Sequence, residues 1–131
     1  MGRSSGALAT VLVVSASLLL GVGVGFAGLL AHRHAVRSDG VALPWGLVLS
    51  LATVYAVITA LAVTPGGVRS AAGCGAGWLL FVLVAQRTRP EGDYLVAGDG
   101  LGIGFVLGGM VVVAAAVVRC VARASRAPGV P

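Results

Sequence analysis

Apolar and polar positions alternate in long blocks along this chain, not residue by residue. Four apolar runs, Ala7–Ala31, Leu43–Thr64, Ser70–Ala85 and Tyr94–Val118, are each closed by arginine or by Gly/Pro-rich punctuation. Asp99, near the start of the last run, is the one charged residue in any of them. Bilayer hydrocarbon is about 30 Å thick, so roughly 17–25 apolar residues in a helix suffice to cross it. All four runs meet that length, the third only just. The pattern predicts an all-α fold: a four-transmembrane-helix bundle made of two helical hairpins, in a single integral membrane domain over residues 1–131.

The punctuation sets the hairpins. The first external loop is expected at His32–Ala42 and the internal turn at Pro65-Gly66-Gly67-Val68-Arg69. Pro-Gly-Gly cannot continue a helix, because proline lacks the amide and glycine adds backbone entropy. The second external loop runs Gln86–Asp93, and Arg119–Pro131 forms a basic tail. The first run resembles a signal sequence in following Arg3, but its length of about 25 residues exceeds the roughly 7–15 of a signal core. An uncleaved first helix is expected.

Composition agrees. Hydrophobic residues make up 58% of the chain and charged residues 10%, with a mean hydropathy of +1.04. A water-soluble domain of this size could not hide that much apolar surface. The nine basic residues are all arginine, amid abundant Ala, Gly and Val, which suits a high-GC bacterial genome. A net charge of +5 raises the question of nucleic acid. The arginines are scattered between the runs instead of forming one basic face, so no nucleic-acid partner is expected.

Those arginines are better read as topology determinants. With four spans, Arg3, Arg69, Arg119, Arg123 and Arg126 share the terminal side, against Arg33, Arg37, Arg87 and Arg89 on the other. All four acids, Asp39, Glu91, Asp93 and Asp99, belong to the second side. The positive-inside rule, led by the three arginines after the last run, puts both termini in the cytoplasm of a multi-pass cell-membrane protein.

Small residues recur at helical spacing. Ser17, Gly21, Gly25 and Gly28 make one face of the first run; Ala52, Ala56 and Ala60 mark the second; Gly73 and Gly77 the third; Gly100, Gly104 and Gly108 the fourth. Helices in lipid associate by close packing, which such stripes permit. Gly21, Gly25, Gly28, Gly100, Gly104 and Gly108 are therefore expected to be packing positions. Gly23-Val-Gly25-Phe-Ala-Gly28 also fits a dinucleotide-binding fingerprint, but that motif needs a strand-to-helix turn and a following acid. No nucleotide or other cofactor is expected.

Catalytic chemistry is sparse. Ion and proton relays place ionisable groups inside a span, and here only the Tyr55 phenol lies near a midplane, one turn from Thr59. Four-helix drug exporters of similar length depend on a glutamate in the first span, which this chain lacks. His32 and His34 flank Arg33, yet alternate residues on a helix diverge and no third ligand is close, so a solvated pair is expected instead of a metal site. Cys74 and Cys120 have no base nearby. No enzyme is expected, and no metal.

The densest polar stretch is Arg87-Thr-Arg89-Pro90-Glu91-Gly92-Asp93-Tyr94, followed by Ala97-Gly98-Asp99-Gly100. A carboxylate at the hydrocarbon edge is costly unless paired, so Asp99 is expected to bond Arg87 or Arg89. Arg87, Arg89, Glu91, Asp93 and Asp99 form a candidate interaction loop.

Gly75-Ala-Gly77-Trp78-Leu-Leu, Arg89-Pro90-Glu91-Gly92-Asp93 and Leu107-Gly108-Gly109-Met110 resemble an uncharacterised family of small actinobacterial membrane proteins with four helices. The similarity is concentrated in residues 75–110, and the Arg-Pro-Glu-Gly-Asp run is its specific part. The resemblance implies the four-helix fold and no activity. Two functions fit the residues: a non-enzymatic accessory or scaffold module that engages a membrane protein partner or a second copy, and a small oligomeric transporter or channel. A transporter requires a polar path near the midplane, for which only Ser50, Thr53, Tyr55 and Thr59 are at hand. The module is the preferred reading.

Overall fold

The computed structural model describes residues 2–38, 41–87, 96 and 98–126. Its elements are α1 (Gly2–Ala31), β1 (Val36–Ser38), β2 (Val41–Leu43), α2 (Trp45–Leu61), α3 (Gly67–Ala85) and α4 (Gly100–Arg126). Four helices form an all-helical bundle, with one short antiparallel hairpin, Val36 opposite Leu43 and Ser38 opposite Val41, between α1 and α2. Ser5–Ala31, Gly67–Ala85 and Gly100–Arg126 are long and apolar enough to cross a membrane. At 17 residues α2 is the short member, about 26 Å at the helical rise. The third run, marginal in sequence, gains a turn because α3 starts at Gly67, where φ is +52°. Only glycine adopts that backbone without strain.

The helix ends differ from the apolar runs where backbone chemistry intervenes. The second run begins in β2, and Pro44 separates it from the helix. In the last run α4 begins at Gly100, with Asp99 capping it. At the far end, α4 runs on through Arg119 and Arg123 to Arg126, so most of the expected tail is helical. Residues 127–131 lie outside the described residues.

Sequence-adjacent helices are not the closest neighbours. The most extensive packing joins α1 to α3, two helices running the same way. A Cβ at Gly21 would collide with the Cys74 carbonyl, and one at Gly77 with the Leu18 carbonyl, so these backbones touch directly. Gly73 lies as close to Val14, where a Cβ would stand 3.2 Å from its carbonyl oxygen. Small residues on both helices make this approach feasible, in the manner of small-xxx-small pairs. Farther along, Gly25 receives Phe81 and Gly28 receives Phe105.

The second parallel pair, α2 with α4, meets by a different device. Leu47 reaches Gly104 and Leu51 reaches Gly108, so the glycines act as notches for side chains. A Cβ at Gly100, one turn earlier, would meet nothing within 4 Å among the described residues. Close contact on α4 falls instead on Gly109, against the Trp78 ring. The alanine stripe of α2 also departs from expectation. Ala52, Ala56 and Ala60 are exposed, and the buried face is Gly46, Ser50, Val54 and Ile58. The two stripes differ by two positions, roughly 200° around a helix, so they occupy opposite sides.

Candidate functional site

The polar residues gather at the loop end where α1 finishes and α4 begins. Asp99 is the N-cap of α4. Its Oδ1 accepts the Gly102 amide at 2.9 Å and its backbone carbonyl accepts the Ile103 amide at 2.9 Å. The first amides of a helix lack internal partners, and a carboxylate there also meets the positive end of the helix dipole. The other oxygen, Oδ2, accepts Nη2 of Arg33 at 2.8 Å. The Gly102 amide, followed by the Arg33 guanidinium, holds the Asp99 carboxyl below its ordinary range against a smaller opposing effect of desolvation.

Among the described residues the partner of Asp99 is therefore Arg33, from the first connection, and not Arg87. Arg33 follows the end of α1, where the His34 amide bonds the Ala31 carbonyl at 3.0 Å and the Gly46 amide bonds the His34 carbonyl at 3.0 Å. A Cβ at Gly46 would collide with the Ala31 carbonyl. These contacts hold the start of α2 against the end of α1 and leave Arg33 facing α4. Arg87 is exposed just beyond α3. Arg89, Glu91 and Asp93 lie outside the described residues. The Arg33 and Asp99 side chains are 51% and 45% exposed, so the pair directs geometry more than it adds stability.

His32 is the second departure. It is buried, 1% exposed, instead of solvated with His34. Its Nδ1 lies 2.8 Å from the Leu29 carbonyl, which assigns the proton to that nitrogen. The imidazole stacks on Phe105, with centroids 4.8 Å apart and planes 27° apart. Phe105 in turn meets Trp78 at 5.7 Å. The line His32–Phe105–Trp78 thus runs from the polar end into the core. Nε2 of His32 is buried without a hydrogen-bond partner among the described residues. The exposed ring of His34 instead lies 5.7 Å from Trp45.

An apolar hollow of about 550 Å³ adjoins the cap, lined by Gln86, Val96, Gly98, Gly102, Ile103, Val106, Leu107 and Met110. Deeper in the bundle, hydroxyls turn to their own helices. Ser17 donates to Val13, Ser50 to Gly46, Thr53 to Leu49 and Thr59 to Tyr55. Ser50 also lies 3.3 Å from the Gly28 carbonyl across the α1–α2 contact. Thr59 therefore does not bridge helices. Cys74 and Cys120 are buried free thiols. Among the described residues no three His, Cys, Asp or Glu side chains come together as metal ligands would.

Residues 3–130 match a family described as a family of unknown function, DUF6113. The chain belongs to that family. The match takes in α1 and α2 as well as residues 75–110, where the resemblance seen in sequence is concentrated. No curated protein and no solved structure matches this DUF6113 chain. The polar end clasps the connection after α1 to the start of α4.

Proposed function

We propose that the chain is a multi-pass integral membrane protein acting as a non-enzymatic accessory or scaffold module, with all four helices spanning and both termini cytoplasmic. One observation carries the membrane reading. Leu8, Leu12, Leu19, Phe26 and Leu30 of α1, with Ile103, Leu107, Val111 and Val118 of α4, are all more than half exposed. In water, an apolar surface of that extent would drive aggregation; in lipid it is the ordinary exterior. Arg69, Arg119, Arg123 and Arg126 at one end support the orientation. The all-arginine basic set supports a high-GC actinobacterial source.

The scaffold reading is supported by the inward use of small residues and by hydroxyls bonded to their own helices. A transporter needs polar groups turned toward a path. Four measurements test the reading. The protein should remain in the membrane fraction after alkaline carbonate extraction, and terminal reporter fusions should be active on the cytoplasmic side. Reconstituted vesicles should show no protein-dependent flux of protons or small cations, while in-cell cross-linking should capture a discrete membrane protein or a second copy. Flux abolished by Tyr55→Phe would replace the scaffold with the transporter.

A further inference from the structure

At the terminal end of the bundle, a groove of about 240 Å³ runs between α1 and the α2–α3 turn, lined by Ala9, Thr10, Val13, Val14, Pro65, Gly66 and Arg69. Its walls are apolar and its one charged group is Arg69. The Thr10 hydroxyl donates to the Gly6 carbonyl at 3.0 Å, which leaves the guanidinium as the groove's charged donor. Arg69 is exposed and has no ion-pair partner among the described residues. Asp99 is the one acid among those residues, and it is bound to Arg33 at the opposite end. The remaining acids, Asp39, Glu91 and Asp93, lie outside the described residues and follow α1 and α3 in sequence.

We propose that this groove holds an anionic phospholipid, its phosphate on Arg69 and an acyl chain along Ala9, Val13 and Val14. The inference rests on the reading that the chain spans a bilayer. Three observations select this occupant. The end of the bundle is cationic and has no ion pair among the described residues, and Arg119, Arg123 and Arg126 recur at i, i+4 and i+7 on one exposed stripe of α4. A guanidinium matches a phosphate bidentately. The apolar walls give a free phosphate nothing to bind, whereas they suit a hydrocarbon chain. Arg119, Arg123 and Arg126 do not line this groove, so they supply general attraction to an anionic leaflet and Arg69 supplies the seat.

The test uses full-length protein reconstituted in vesicles of equimolar dioleoyl phosphatidylglycerol and dioleoyl phosphatidylcholine. After gentle detergent extraction, the lipids retained by the protein are measured by mass spectrometry. The wild type should retain phosphatidylglycerol in preference. Arg69→Gln should lower that preference about ten-fold, the effect of losing one charge-assisted hydrogen bond to the phosphate. Ala9→Leu, at an exposed position that narrows the groove, should lower it too. Arg119→Gln and Ala114→Leu should leave it unchanged. An absent preference in the wild type, or equal losses in Arg69→Gln and Arg119→Gln, would overturn the seat while the membrane reading stands. Displacement of the lipid by soluble glycerol phosphate would likewise overturn it, since the headgroup alone would then suffice. Protein that enters vesicles of neither lipid would overturn both readings.

Discussion

Arg33 and Asp99 stand 66 residues apart in sequence and 2.8 Å apart in space. Their contact ties the end of α1 to the start of α4, two helices that pack mainly against other partners. Asp99 does two jobs there, because one carboxylate oxygen caps α4 and the other receives Arg33.

The two jobs are separable. Asn retains a side-chain oxygen for the Gly102 amide and loses the charge, whereas Ala loses both. Asp99→Ala should lower the thermal midpoint in detergent more than Asp99→Asn does. In a double-mutant cycle, Asp99→Asn with Arg33→Gln should show coupling, and Asp99→Asn with Arg87→Gln should be additive. Coupling to Arg87 with none to Arg33 would show a different pairing from the one described.

Acid should release the same contact. The Asp99 pKa is lowered in the folded protein, first by the Gly102 amide and then by Arg33. A depressed carboxyl stabilises the fold above its unfolded pKa of about 3.9, and that contribution fades as pH falls through the lower folded value. The thermal midpoint of the wild type should therefore drop more steeply than that of Asp99→Asn below about pH 4. Parallel curves for the two proteins would exclude the linkage.

The glycines divide by what a methyl group would strike. At Gly21 and Gly77 it would meet a carbonyl on the neighbouring helix, and backbone cannot step aside. Gly21→Ala and Gly77→Ala should each cost about 1–3 kcal/mol or more, the range for overpacking. At Gly104 it would stand 3.1 Å from the tip of Leu47, which can rotate, and at Gly100 it would meet nothing within 4 Å among the described residues. Gly104→Ala should be milder, and Gly100→Ala within about 0.5 kcal/mol of wild type. Reversible unfolding in mild detergent would rank the four.

How far the sequence reveals this depends on range. Block hydropathy locates four helices because burial in lipid or in a core demands apolar runs, and it does so irrespective of neighbours. Ends are set locally, and the signals were present: Pro44 before α2, and the cap Asp99 before α4. The hairpin had a signal as well, since Asp39-Gly40 between Val36 and Leu43 is a favoured two-residue connection. His32 follows Gly21, Gly25 and Gly28 at the same helical spacing, so its inward position was legible from the stripe. The partner of Asp99 was not. Proximity in sequence favoured Arg87 and Arg89, while the observed pairing depends on how α1 and α4 are brought together by α2 and α3. The packing order of the helices has the same origin, because small stripes show which faces can approach and not whose.

Trp78 offers a compensating pair. Its outer ring atoms occupy the space that a Cβ at Gly109 would need. Gly109→Ala should destabilise the bundle by overpacking, and Trp78→Phe should do so by leaving a void. Together they should cost less than the sum, since Phe removes the atoms that Ala would strike. The expected coupling is about 0.5–3 kcal/mol. A strictly additive pair would place the ring elsewhere.

The parallel pairing of α2 with α4 separates this bundle from one built of adjacent hairpins. Leu47 reaches Gly104, and Leu51 reaches Gly108, four residues on in both helices. Equal steps in the same direction are possible only if the helices run together and keep register over a full turn. The protein with Cys74→Ser and Cys120→Ala supplies a background without thiols. In it, Leu47→Cys with Gly104→Cys, and Leu51→Cys with Gly108→Cys, should form intramolecular disulfides under mild oxidant. The crossed combinations, Leu47→Cys with Gly108→Cys and Leu51→Cys with Gly104→Cys, are offset by a turn, about 5.4–6 Å along the helix axis, and should not close, because a disulfide tolerates only about 3.5–4.5 Å between Cβ atoms. Efficient closure of the crossed pairs, with failure of the matched ones, would mean antiparallel helices and a different order around the bundle.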